Sequence, residues 1–344
     1  MNKSILLAGL LGLAALPAGP AAAQDKPGST AAPFLLLGVD ARGNALGGAQ
    51  VAFAEGPAAL HWNPAGIASA TARPGTGSAL FSSSNWLVGS RHNYAGATFN
   101  AGGLGTFGLS VTQLDYGEEP VTTIENPDGT GELYGAQDLA VGVTYARALT
   151  ERFTVGGTAK LVRQQIWNES ATGGALDLGV RYRTDFRGLT IGMTMANFGT
   201  DMRLAGRDLR RRIDIAPDQS GNNPDLPANL EVNAWPMPLE FRVGVAAEAF
   251  RLGDQRLIVS AEGLAPSDNS QSASFGAEYG FRDLLYVRAG YRQAFSSVAS
   301  DGGWAAGFGL RYDLDARLGL RVDYVFQEYE PFGTPQMFTF GVTF

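Results

Sequence analysis

Strict alternation of apolar and polar side chains constrains this chain most, because a period of two places every second residue on one face of an extended strand and forbids a helix. Residues 317–326 read RLGLRVDYVF, with Leu318, Leu320, Val322, Tyr324 and Phe326 on one face and Arg317, Gly319, Arg321 and Asp323 on the other. The split recurs at 176–183, where Leu176, Leu178, Val180 and Tyr182 oppose Asp177, Gly179, Arg181 and Arg183. It recurs at 241–248, 285–292 and 304–314, each time with Arg, Glu, Asp or Gly on the polar side.

Counted along the sequence, the pattern predicts strands at 78–87, 91–100, 104–115, 138–149, 152–166, 174–184, 188–198, 239–250, 255–264, 272–281, 284–294, 303–314, 317–328 and 336–344. The first two alternate least cleanly, since Ser82, Ser83 and Ser84 interrupt the apolar face. Fourteen is an even number, and each segment is close to the roughly 9 to 11 residues a tilted strand needs to cross a bilayer. Connections after even-numbered segments are short, such as Thr150-Glu151 and Arg282-Asp283. Those after odd-numbered segments reach 116–137 and 199–238. Short periplasmic turns alternating with long outside loops are the pattern of an outer-membrane barrel. A soluble sandwich would also alternate, but tyrosines at strand ends on the apolar parity (Tyr145, Tyr182, Tyr279, Tyr291, Tyr312, Tyr324) suit an interfacial girdle. The expected fold is an all-β, 14-stranded antiparallel transmembrane barrel with an N-terminal plug in its lumen.

Composition agrees with that fold. Glycine supplies 46 of 344 residues, about twice the usual share of roughly 7%. There is no cysteine, so neither disulfides nor thiolate metal sites are available. The net charge of −7 excludes a nucleic-acid binder that would need a basic surface. Lys3, the apolar run 5–16 and Ala21-Ala22-Ala23 read as a secretory signal cleaved after Ala23. That leaves three regions: a signal peptide at 1–23, a periplasmic lead and plug at 24–77, and the barrel at 78–344.

The residues before the first strand have no sustained alternation. FLLLGVDARGNALGGAQVAFAEGPAALHWNPAGIA, residues 34–68, is rich in Ala and Gly. A fourteen-strand barrel is wide enough to be a channel or a plugged space, and this segment is the natural filler. It resembles the N-terminal signature of the PorV/PorQ family of outer-membrane proteins, itself similar to the FadL family of hydrophobic-solute channels. The matching positions are Ala41-Arg42, Gly47-Gly48-Ala49 and Asn63-Pro64-Ala65-Gly66, and Phe34-Leu35 and Trp62 favour PorV/PorQ. Where the family commonly carries acidic residues, Gly56 and Pro57 stand here, leaving Glu55 alone. The resemblance implies a component of type IX secretion that interacts with exported proteins and secretion components at the cell surface. The FadL side implies uptake of a hydrophobic small molecule such as a fatty acid, with lateral exit through a break in strand hydrogen bonding near Gly102 to Gly105.

Physical chemistry places the remaining candidates. Arg42 in a closed lumen needs a carboxylate partner, with Glu248, Glu262, Glu278 and Asp323 on the right parity. Arg181, Arg242, Arg288, Arg311 and Arg321 share the lumen face with them and with Asp313, and opposite charges across strands predict an ion-pair network. His61 and His92 are the only histidines, and nothing supplies them a base and orienting carboxylate at a defined spacing, so no enzymatic activity and no cofactor are expected. The last strand, MFTFGVTF, puts Phe338, Phe340, Val342 and Phe344 on one face. Its aromatic end, Phe340 and Phe344, resembles the signal read by the outer-membrane assembly machinery. The expected home is the outer membrane, in contact with its lipid.

Overall fold

The computed structural model describes residues 27–68, 75–186, 188–219, 223, 225–296, 302–315, 318–329 and 332–344. The signal peptide at 1–23 and Arg317 lie outside them. Fourteen strands form one antiparallel ring: β1 Gly77–Asn85, β2 Arg91–Asn100, β3 Thr106–Pro120, β4 Leu133–Ala148, β5 Phe153–Ile166, β6 Glu169–Arg183, β7 Thr190–Gly199, β8 Glu240–Leu252, β9 Gln255–Pro266, β10 Ser272–Phe281, β11 Leu285–Ala294, β12 Gly303–Asp313, β13 Gly319–Gln327 and β14 Gln336–Thr343. Each strand pairs with its sequence neighbour. The ring closes where β1 meets β14, from Ser78↔Thr343 to Asn85↔Gln336. Closure removes the exposed edges that lipid would leave unpaired.

The two faces of the wall follow the alternation. Leu109, Val143, Leu161, Leu178, Val287 and Phe338 each remain more than half exposed although apolar, which is stable only against lipid. Rings meet across strands on this outer side, Tyr324 between Phe308 at 5.3 Å and Phe338 at 4.9 Å, and Tyr291 against Trp304 at 5.0 Å. Asp177, Glu240, Arg242, Glu262, Glu278, Arg288 and Asp323 are buried inside.

Four registers depart from a regular ladder, one of them between β8 and β9 at Glu248/Phe250. Strand β3 runs to Pro120 and β4 starts at Leu133, so both stand beyond the expected ends, and their ladder shifts between Asp115 and Glu118. Between β6 and β7 the register shifts at Leu176/Leu178. There Asn197 has φ 62°, and its N–H donates to Asp177 Oδ1 at 2.8 Å instead of to the ladder. The remaining shift lies between β10 and β11 at Ala273/Phe275.

The break expected near Gly102 to Gly105 is absent. Gly102–Leu104 form a 3-10 turn in the short β2–β3 connection, and β2 pairs with β3 without interruption from Arg91↔Asp115 to Asn100↔Thr106. The glycines serve the turn, where Gly102 and Gly105 take positive φ, and do not open the wall.

Lipid contact on the outer side yields a depth-dependent test. Val143→Arg should destabilise the folded barrel by ~2–4 kcal/mol if it sits near the bilayer midplane, whereas Leu252→Arg at the strand end should cost about 0–1 kcal/mol. Urea titration of folding into vesicles, read by heat-modifiable gel mobility, measures both. Equal effects at the two sites would contradict the lipid-facing assignment.

Candidate functional site

The segment 27–68 fills the barrel with short turns in place of long elements. These are 3-10 turns at Pro33–Leu36, Gly56–Ala58 and Pro64–Ile67 and two short helices, α1 Ala41–Ala45 and α2 Ala59–Trp62. Asp40 caps α1, its carboxylate accepting from the Gly43 N–H at 3.1 Å. Its other oxygen accepts from the Trp62 indole at 2.7 Å, tying α1 to α2. Asn63 does the same for the next turn. Its Nδ2 donates to the carbonyls of Val51 at 2.7 Å and of wall residue Val180 at 3.0 Å, and its Oδ1 accepts from Ala65 N–H at 3.1 Å. Pro64 starts the turn that Asn63 caps, as its fixed φ suits a first helical position.

Inward-facing glycines let this backbone lie directly on the wall. A Cβ at Gly276 would stand 2.7 Å from Leu46 O, at Gly156 2.6 Å from the Pro64 carbonyl carbon, and at Gly307 2.8 Å from Ala45 Cβ. From the plug side, Gly47 has φ +66° and a Cβ there would stand 2.7 Å from the Tyr291 carbonyl. Gly48 also has positive φ, 84°, and faces the Trp62 ring. Gly66 packs beneath the Ala54 carbonyl and leaves no room for a side chain.

Buried charge fixes the plug at three points. Of the four candidate partners, Glu278 takes Arg42: Nε donates to Oε2 at 2.8 Å and Nη2 to Oε1 at 2.9 Å. Glu278 also accepts from Arg288 Nε at 2.6 Å. Arg288 reaches Asp323 at 2.6 Å, and Arg321 bonds the second Asp323 oxygen. At the second point Glu262 accepts from the backbone N–H of Gln50 and Val51, both at 2.9 Å. Arg242, whose guanidinium lies 5.3 Å from the Trp62 ring centroid, holds Glu240 at 2.7 Å and lies 3.7 Å from Glu262. At the third, Arg181 donates to the Ala68 carbonyl at 3.1 Å and lies 3.6 Å from Glu55. Beside them His61 is half-buried; desolvation, then the nearby positive charge of Arg242 and Lys160, lowers the pKa of its imidazole well below the usual range.

Three members of the expected network sit apart from it. Glu248 has the lumen parity but lies near the end of β8, at a register shift, where it pairs with Arg251 at 2.7 Å on the rim. Arg311 and Asp313 form a second exposed rim pair at 3.2 Å. Alternation assigns a face but not a depth, so all three read as interior. Asp40 and Lys160, which holds Asp177 at 2.8 Å, were not singled out by the sequence pattern. Asp40 precedes a helix too short to show a period, and Lys160 is the one charged residue on the inward parity of its strand. Phe340 lies on the lipid face. Phe344 stacks over Gly77, where its N–H donates to the Gly77 carbonyl at 2.9 Å and closes the seam.

At the end carrying the long loops a cavity of about 630 Å³ opens. Ala31, Ala32 and Pro33 of the lead floor it, with Tyr116, Tyr134, Ile166, Met202, Leu204 and Trp235 around them. Asp138 is its fixed polar element, accepting from Tyr116 hydroxyl at 2.9 Å and from Gln164 Nε2 at 3.1 Å, while Gln164 Oε1 accepts from Ala32 N–H at 2.9 Å. The lead is also held by Thr30, whose hydroxyl donates to Asp268 at 2.6 Å, and by Ala31 N–H on the Pro236 carbonyl at 2.8 Å. The residues preceding the plug therefore reach the outer mouth, and the chain descends through the lumen before β1 begins. The lead and the segment 199–238 close this cavity over the ends of β3 to β6, and neither carries a period that reports it.

Removing one carboxylate should release the plug. Glu278→Gln leaves Arg42 and Arg288 short of a counter-charge in a buried site and should destabilise by ~3–5 kcal/mol. Gly47→Ala forces a side chain into a left-handed position against the wall and should destabilise by ~1–3 kcal/mol. Both should expose Arg42 to trypsin in the folded, unboiled barrel. Unchanged protection would show that the plug is held elsewhere.

Comparison with known proteins places this architecture. Solved structures with the same fold include the Pseudomonas putida toluene transporter TodX (TM-score 0.55, 15% identity, covering 89% of this chain and 97% of that one). The Ralstonia pickettii toluene transporter TbuX matches at TM-score 0.53 and 13% identity, over 90% and 98% of the two chains. A Pseudomonas aeruginosa FadL homologue matches at 0.53 and 12%, over 89% and 98%. None of the proteins with curated descriptions matches significantly. The model of the family described as type IX secretion system protein PorV matches residues 21–235, well over half of the chain. This integral outer-membrane barrel, with its FadL-like fold, belongs to the PorV family.

Proposed function

We propose that the protein acts in type IX secretion without catalysing a reaction, by receiving exported proteins at the cell surface on the outer mouth of the barrel. The observation that carries this reading is an apolar cavity of about 630 Å³ standing open at the outer mouth above a lumen packed with the protein's own chain. A packed lumen is a poor conduit, and an outward-facing apolar cavity ringed by Tyr116, Tyr134 and Trp235 is a good receptor. Aromatic side chains of this kind dominate binding hot spots. Family membership supports the same reading.

The cavity volume also suits a second reading, since pockets of roughly 300–1,000 Å³ hold small molecules. The neighbouring toluene transporters make a hydrophobic solute the alternative occupant. Against it, the segment 27–68 fills the lumen beneath the cavity and the β2–β3 ladder is uninterrupted, so a solute entering the cavity needs the plug to shift before it can leave.

A photo-crosslinking residue at Trp235, followed by affinity capture from native membranes, tests the proposal. Adducts with secretion components or exported proteins are expected, and they should decline when Tyr116 is also changed to Ala. Clean capture without protein adducts, together with loss of hydrophobic-compound uptake on deletion, would overturn the proposal in favour of the channel.

A further inference from the structure

A second cavity, of about 240 Å³, lies at the opposite mouth, between the plug and the ends of β9 to β13. Five arginines line it: Arg42, Arg256, Arg288, Arg311 and Arg321. Two carboxylates are buried among them, Glu278 and Asp323. Four guanidiniums lean on those two: Arg42 and Arg288 directly, Arg321 on Asp323, and Arg256 at 3.9 Å from Glu278. Four cations face two buried anions, and the only other acid on them within ion-pair distance among the described residues is the exposed Asp283, 3.7 Å from Arg256, so positive charge is in excess. The other acids nearby, Glu55, Asp283 and Asp313, have side chains more than half exposed. In water at the mouth their fields are screened, and Asp313 is already paired with Arg311.

The hydrogen bonding is incomplete in the same place. Arg321 Nη2 is buried and has no acceptor, whereas the Nε of that side chain holds Asp323. The guanidiniums are also fixed. Arg256 and Arg288 lie over the Tyr286 ring at 5.9 and 5.2 Å from its centroid, and Arg42 lies over Phe53 at 5.1 Å. Rings on their faces leave their edges to donate, and donor edges of Arg match the oxygens of a phosphate or carboxylate.

We propose that this arginine-lined cavity at the periplasmic mouth binds a phosphate group, which completes the bonding of Arg321 and bridges the plug to the wall. The cavity is of a size for a single such group, free in the periplasm or on the headgroup of an inner-leaflet lipid. This site is independent of the reading of the outer mouth, because its ligand is met from the other side and its test needs no secretion partner.

The test is calorimetric titration of the purified, detergent-solubilised full-length barrel with inorganic phosphate and, separately, with glycerol 3-phosphate. Saturable binding is expected, weakened by about tenfold or more in Arg321→Gln through loss of a charge-assisted hydrogen bond. Similar binding of both probes indicates a free anion, and clear preference for glycerol 3-phosphate indicates a lipid headgroup; either supports the site. Heat-modifiable mobility checks that the variant has folded. If Arg321→Gln does not fold, Arg256→Gln should still weaken binding severalfold. Absence of saturable binding to both probes, or unchanged binding in a folded variant, overturns the proposal.

Discussion

The interaction on which this structure depends is direct contact between the plug backbone and the barrel wall, made possible by glycine. Gly96, Gly108, Gly156, Gly179, Gly192, Gly244, Gly276, Gly290 and Gly307 each face a plug atom within contact distance of where a Cβ would stand. They occupy nine different strands. A barrel of fourteen strands has more interior than its own side chains fill. The available solutions are large lumenal side chains or an inserted segment, and a segment can be inserted only where the wall is stripped of side chains. The high glycine content is the sequence trace of that choice. It also explains why the plug is made of Ala, Gly and short turns, since regular helices with long side chains would not fit between two walls approached so closely.

Close packing leaves no water to solvate polar groups, so the plug's orphan backbone donors and the wall's charges must satisfy each other. Glu262 answers two plug N–H groups, and Thr339 answers a third, accepting from Ala41 N–H at 2.8 Å. Asn63 spans plug and wall. Ion pairs in such a place gain little net stability, because desolvation offsets most of their attraction. Their effect is on register: Arg42 finds Glu278 flanked by Arg288 only at one depth and one rotation of the plug. The wall positions the segment, and the segment in turn satisfies the wall.

Strand identities were legible because lipid outside and packed chain inside demand opposite chemistry at every second residue. The segments expected at 91–100 and 272–281 coincide with the observed strands, and most others agree within a few residues. Depth along a strand was not legible, which is why Glu248, Arg311 and Asp313 read as interior although they sit in rim pairs. Nor did glycine spacing reveal its role by itself: Gly102 to Gly105 suggested a break in the wall, while their positive φ values serve a turn. The outer cavity depends on how the lead and the segment 199–238 close over the ends of β3 to β6, and neither carries a repeat that reports its contacts. Face selection is a local property of the chain, whereas depth and loop closure are set by partners far away in sequence.

A sealed lumen divides the molecule into two chemically different mouths. The outer one is apolar and aromatic, suited to something that buries hydrophobic surface. The periplasmic one is cationic, with an unmade hydrogen bond. The lead residues link them, since Thr30 to Pro33 at the outer cavity continue within ten residues to Arg42 at the inner cluster. Movement of one part of this segment is resisted at the other by the same backbone contacts that fix its depth. Two walls held a few ångströms apart by glycine do not deform gradually, so any signal between the mouths would have to displace the segment as a unit, breaking the Arg42 to Glu278 bond on the way. The charged clasp is therefore the point at which occupancy of either mouth would be felt by the other.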